Sequence, residues 1–169
     1  NGVTGSLVAW VRIPVLSTSV NTILKILYSN PQANTDLSTT DVWNSDFAGV
    51  WHLQNTNDAT ANNNDGTAYG NAASTSGQIG NGYTLDGTGD YIGIPDDETL
   101  DLTAELTLSA WIRVDLIDNW DRIVVKSHSA STPPYAMYGL LFDNSQHTRL
   151  QFSQGGTQRN FDGSTVIPT

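Results

Sequence analysis

Cysteine is missing from all 169 residues, which excludes a disulfide framework, a thiolate metal centre and a cysteine nucleophile together. Stability must come from packing, hydrogen bonds or bound cations. Positive charge is nearly as scarce. Seven Lys and Arg stand against 17 acids, for a net charge of −10, so attraction to a nucleic-acid backbone or an anionic membrane face is disfavoured. There is one Met, and Glu and Lys are rare, so helix formers are what the chain lacks. No apolar run approaches the ~20 residues needed to cross a bilayer, which argues against membrane insertion, and no basic-then-apolar leader stands at the start. None of the asparagines sits in an Asn-x-Ser/Thr acceptor, so N-glycosylation at that sequon is excluded.

Asn, Asp, Ser, Thr and Gly dominate instead, a balance that favours turns and strands and predicts an all-β chain. An acidic, Asn/Thr-rich and lysine-poor surface points to a secreted or cell-surface protein, most commonly a prokaryotic one. In Leu106–Val114 the alternation is strict: Leu106, Leu108, Ala110, Ile112 and Val114 fall on one face, and Thr107, Ser109, Trp111 and Arg113 on the other. That is the period of a half-buried strand. Gly/Asp turns separate further strands expected at Thr67–Ala72, Gly82–Leu85, Tyr91–Ile94, Arg122–Lys126, Tyr138–Phe142 and Arg149–Phe152, a spacing that suits a sandwich. Val50-Trp-His-Leu reads as the opening strand of this unit, and Asp96–Leu102 holds one helical turn at most.

At the other end, Leu7–Leu16 and Thr22–Tyr28 read as a β-hairpin, with Pro14 confining the first strand to an edge. A polar stretch, Ser29–Asp41, follows as linker. Residues 1–41 are therefore expected to be a hairpin and linker from the tail of a preceding all-β domain, and residues 42–169 the main domain. Leu7-Val-Ala-Trp-Val-Arg-Ile and Leu108-Ser-Ala-Trp-Ile-Arg-Val share an Ala-Trp-x-Arg core. With nothing matching outside seven residues, they read as two strands meeting one packing need. The tail from Gly155 is polar and ends in Val166-Ile-Pro-Thr, where another strand is expected to begin, so the sandwich looks unfinished at this side.

Two constellations could carry chemistry. The loop Asn57-Asp-Ala-Thr-Ala-Asn-Asn-Asn-Asp-Gly and the turn Asp86-Gly-Thr-Gly-Asp gather hard oxygens near strand ends. Calcium takes six to eight such ligands, and Asp58, Asn62, Asn64, Asp65 and Asp90 are the candidates. Plain turn capping by Asn and Asp explains the same cluster without an ion. Trp120, Tyr135, Tyr138 and Trp111 could offer stacking faces to sugar rings, Trp120 from a polar loop and Trp111 from the polar face of its strand. Packing within the sandwich is the alternative for each. Catalysis finds little support: His52, His128 and His147 lack zinc spacing, and no Gly-x-Ser-x-Gly elbow occurs.

Val50-Trp-His-Leu, the Asn/Asp loop, Gly80-Asn-Gly-Tyr-Thr-Leu-Asp-Gly-Thr-Gly-Asp-Tyr-Ile-Gly-Ile-Pro and Leu106-Thr-Leu-Ser-Ala-Trp-Ile-Arg-Val follow one another in the order and spacing of a known family. The chain resembles, over about residues 42–160, the laminin G-like branch of the concanavalin A-like lectin/glucanase jelly rolls. The resemblance implies an antiparallel two-sheet jelly-roll sandwich in an extracellular, mostly non-catalytic module that binds carbohydrate or protein and often holds calcium. Related glucanases carry a Glu-x-Asp-x-x-Glu strand; here the glutamates are Glu98 and Glu105, outside that pattern, so no enzyme is expected. Trp10–Leu53 resembles the end of an uncharacterised domain that precedes such modules in prokaryotic surface proteins. Members of the jelly-roll family usually continue beyond the position of Thr169, so the chain is expected to be an excerpt or a processed product. Carbohydrate binding and adhesion is the leading function. The alternative is a structural subunit of an extracellular filament or layer that self-associates by strand exchange, and a glycan-degrading enzyme is the weaker one.

Overall fold

Strand formation here follows the glycines and aspartates that turn the chain. The computed structural model describes residues 7–27, 39–118, 120–127, 134 and 136–168, which gather into two compact units, Asn1–Asp97 and Glu98–Thr169. The class is the expected one: all-β, with every ladder antiparallel.

In the first unit, β1 (Thr67–Tyr69) pairs with β4 (Tyr91–Gly93). Tyr69 and Tyr91 lie directly opposite, and their rings stack at 4.7 Å between centroids, the cross-strand aromatic pair that stabilises short ladders. Next, β2 (Ala73–Ser76) pairs with β3 (Asn81–Thr84) across a loop closed by the Gly77 N–H donating to the Gly80 carbonyl at 2.9 Å.

The second unit is a meander in which β5 (Arg122–Ser127), β6 (Ala136–Phe142), β7 (His147–Gln154) and β8 (Thr157–Val166) lie side by side in chain order. β6 is interior and carries the core: Ala136, Tyr138, Leu141 and Phe142 are buried. Gly155 and Gly156 join β7 to β8, with φ of +57° and +73°. Two successive positive φ values mark the primed two-residue turn whose twist matches a hairpin. The register puts Arg149 opposite Asp162, Gln151 opposite Asn160 and Ser153 opposite Gln158, while Leu150 faces Phe161 and Phe152 faces Arg159. Opposed residues share a face, so one side of the β7–β8 ribbon is a polar ladder. The other carries Leu150, Phe152 and Phe161 beside Arg159, with Phe152 and Phe161 stacked at 5.7 Å.

Four expectations need correction. Leu106–Val114 joins no ladder, and Trp111 is 76% exposed. Alternation marks which face a strand would bury; it does not supply the partner whose N–H and C=O groups complete it. The hairpin Leu7–Tyr28 is absent over its described residues, 7–27, which form no ladder and are exposed throughout; Tyr28 lies outside the described residues. A turn does form where the hairpin loop was expected, with Ser17 Oγ accepting from the Ser19 and Val20 N–H groups at 3.2 and 3.1 Å, but the flanking segments do not pair across it. Val50–Leu53 is no strand either: the Val50 N–H and C=O are taken by Asp58 and Ala59. The polar tail from Gly155 instead forms β8, which ends at Val166 where a new strand was expected to start. The compositional boundary at residues 41 and 42 falls inside the first unit, where Trp10 meets Trp43 and His52 with centroids at 5.6 and 4.6 Å.

Candidate functional site

The Asn/Asp loop of the first unit is built around one carboxylate. Asp58, 7% exposed, accepts at Oδ1 from the Val50 and Thr60 N–H groups at 2.9 and 3.0 Å, and at Oδ2 from the Thr60 hydroxyl and the Asn64 N–H at 2.7 and 3.0 Å. Four donors match the roughly four lone-pair positions of an ionised carboxylate. Burial alone would raise the Asp58 pKa, but the hydrogen bonds from Val50, Thr60 and Asn64 together outweigh it and hold the group below the usual carboxylate value. Asp65 Oδ1 accepts from the Asp58 N–H at 2.9 Å, and Asn62 and Asn64 donate through Nδ2 to the Ala48 carbonyl at 3.0 and 3.1 Å. Four of the five calcium candidates, Asp58, Asn62, Asn64 and Asp65, thus meet in one loop, and there they bind their own backbone.

Asp90, the fifth, belongs to a separate knot. Its oxygens accept from the Asn71 and Asp86 N–H groups at 2.8 and 2.9 Å, while Asp86 accepts from the Thr88 N–H at 2.7 Å and Asn71 Nδ2 at 3.0 Å. The Asn71 side chain, above all, lowers the Asp86 pKa. Among the described residues, no three His, Asp or Glu side chains converge as a metal-binding group.

The aromatic candidates separate. Tyr138 is a core residue, 5% exposed, with its hydroxyl donating to the Leu100 carbonyl at 2.8 Å and its pKa raised by desolvation. It has no face for a ligand, which corrects its expected role. Trp111 is exposed on the unpaired segment, and Tyr135 lies outside the described residues. Trp120 is 45% exposed and sits over the Arg149 guanidinium, 4.9 Å from ring centroid to Cζ, a cation–π contact.

That contact opens on the polar ladder of β7 and β8. Arg149 donates through Nε and Nη2 to the two oxygens of Asp162, the bidentate fork that fixes both side chains. This pairing raises the Arg149 pKa and lowers that of Asp162. From behind, Asp143 Oδ2 lies 3.7 Å from Arg149 Nη2 and 3.4 Å from His147 Nδ1. Its Oδ1 accepts from the His147 and Ser145 N–H groups, and these bonds, led by that from His147, hold its carboxyl low. Next along the ribbon, Gln151 and Gln158 both donate to Asn160 Oδ1, at 3.2 and 3.4 Å. Trp120 has φ of +70°, an uncommon conformation for a bulky residue. Asp121 maintains it, its side chain accepting from the Asp118 N–H at 2.7 Å and its carbonyl from the Phe142 N–H at 2.8 Å.

A family model, described as the concanavalin A-like lectin/glucanases superfamily, matches residues 86–169. That segment is similar to the superfamily. It contains β4 to β8, the Trp120 loop and the whole polar ladder, and therefore the site described above. No curated protein and no solved structure matches the chain. Of this candidate site, Trp120 was visible in the sequence; Arg149, Gln151, Asn160 and Asp162 were not. The signal that could have exposed them is the Gly155-Gly156 turn, because a two-residue hairpin loop fixes register and so pairs Arg149 with Asp162.

Proposed function

We propose that this chain is a non-catalytic extracellular module that binds carbohydrate on the Trp120 face of the β7–β8 ribbon. The carrying observation is a half-exposed indole locked over Arg149 beside a ladder of planar hydrogen-bonding groups. An indole face matches the C–H face of a pyranose, while the exposed Asn160 and Asp162 side chains suit its hydroxyls; Gln151, buried, supports Asn160 by its hydrogen bond. The superfamily to which residues 86–169 are similar supports a binding rather than a catalytic role. A glycan array with the intact chain tests the reading. Trp120→Ala is expected to weaken any bound glycan at least tenfold, which is about 1.4 kcal/mol, with the melting temperature little changed. Binding that survives Trp120→Ala, or an array with no binder at all, overturns it. We infer that the Asn/Asp loop of the first unit, closed by its own hydrogen bonds, keeps its stability without calcium. Calorimetric melts in EDTA and in calcium test that independence, with equal temperatures expected.

A further inference from the structure

The first unit carries an apolar arm that is exposed over all its described residues, 7–27. Its root is fixed: Trp10 stacks on His52 at 4.6 Å, and Arg12 Nη1 donates to the Asp41 carbonyl at 3.1 Å. Beyond the Ser17 turn, Ile23 and Ile26 are 76% and 72% exposed and Leu27 is 92% exposed. Thr22-Ile-Leu-Lys-Ile-Leu has strong strand propensity and contains no proline. A run of exposed large aliphatics on this scale marks an interaction surface.

The second unit carries the complement. Among its described residues β8 pairs with β7 alone, so its outer row of N–H and C=O groups is an open template. It is exposed nearly throughout, and its sequence contains neither the Lys nor the Pro that commonly blunts an edge. The β7–β8 register is regular from Thr157 to Asp162 and breaks beyond it. The six unbroken residues equal the six of Thr22–Leu27. The opposite edge, β5, is less suited: it carries Arg122 and Lys126 and no acid, whereas Thr157–Asp162 offsets Arg159 with Asp162, and Arg12 and Lys25 are the only charges in the arm and its root.

We propose that Thr22–Leu27 of one copy adds as a strand to the outer edge of β8, over Thr157–Asp162, in a second copy of this chain. Charge complementarity favours a second copy as the occupant. All 17 acids lie at Asp36 or beyond, against five of the seven basic residues, while the first 35 residues hold Arg12 and Lys25 and no acid. A cationic, apolar arm therefore meets a strongly acidic body. Each copy offers one arm and one edge, so the contact is head-to-tail and generates rings or open filaments. This does not rest on the carbohydrate reading: strand addition uses the backbone edge of Thr157–Asp162, a stretch that also holds Gln158, Asn160 and Asp162 of the polar ladder.

Because the chain has no cysteine, single thiols report cleanly. Leu24→Cys and Phe161→Cys chains, mixed and treated with a short bismaleimide, are expected to give a species of twice the 18.2 kDa chain mass. A mixture of Leu24→Cys with Ile123→Cys, on β5, is expected to give none. Light scattering on the unmodified chain is expected to show oligomers, and Ile23→Asp/Ile26→Asp to reduce them to single chains. Those two side chains are largely solvent-exposed, so the melting temperature of the variant should not fall, which separates lost association from lost folding. A strictly monomeric unmodified chain overturns the proposal. So does cross-linking confined within one molecule of the double Leu24→Cys/Phe161→Cys variant, or cross-linking that favours position 123.

Discussion

Asp58 shows how much one side chain can organise. Replacing it by Asn keeps the shape but turns one oxygen into an NH2 that faces donors, leaving buried N–H groups without acceptors. The cost is expected to be about 2–4 kcal/mol, read as a lowered denaturation midpoint of Asp58→Asn. The acid limb follows from the depressed pKa. A carboxylate held below its ordinary value of 3.8 contributes stability that is fully present above that pH and lost as pH falls through the folded-state value. Asp58→Asn should therefore narrow the stability gap between pH 6 and pH 3 relative to the parent chain, measured by urea titration at both. Trp120 offers a second test. At φ of +70° glycine is unstrained and alanine is not, so Trp120→Gly should be more stable than Trp120→Ala by about 1 kcal/mol, a reversal of the usual glycine penalty. Equal stabilities would mean that the backbone relaxes once the indole is gone.

Elements were legible wherever turn chemistry and side-chain pattern agreed. Tyr91–Gly93 and Arg122–Ser127 emerged close to their expected bounds because Gly/Asp turns delimit them. β6 grew from its expected core, Tyr138–Phe142, to Ala136–Phe142. Leu106–Val114 has the cleanest alternation in the chain and no ladder, since a strand is a property of two segments and the sequence of one cannot state it. β8 is the converse. Gln, Arg, Asn, Asp and Gly are poor strand formers, yet the primed Gly155-Gly156 turn and the Arg149–Asp162 fork align it along its length. The candidate site was legible only through Trp120 for the same reason, because its other members converge by register. Neither glycine of that turn has a neighbour near a would-be Cβ, so only φ penalises a side chain there. Gly155→Ala should cost about 1–2 kcal/mol, seen in thermal melts, and should also weaken glycan binding, since the ladder depends on the register the turn sets.

At the scale of the whole molecule the acidic balance sets a measurable constant. The sequence isoelectric point is 4.3, but Asp58, Asp86, Asp143 and Asp162 all titrate lower in the folded chain. Folding therefore keeps these groups charged to lower pH, and the native isoelectric point is expected to lie below that of the unfolded chain. Isoelectric focusing with and without urea checks this, the native band being expected on the acidic side. Coincident bands would show that the four carboxylates are not protected by their hydrogen bonds.

Trp10 lies nearly parallel to the His52 imidazole, 15° between planes, and burial lowers the His52 pKa below its ordinary 6.5. A protonated imidazole quenches an indole in van der Waals contact by accepting an excited-state electron, so the root of the arm carries its own optical gauge. Emission from Trp10 should dim with a midpoint on the acid side of 6.5, and His52→Gln should abolish that titration. Because the root is fixed and only Thr22–Leu27 is proposed to pair with a neighbour, the quenching should have the same midpoint and amplitude in single chains and in oligomers, so the signal reports whether the root itself holds.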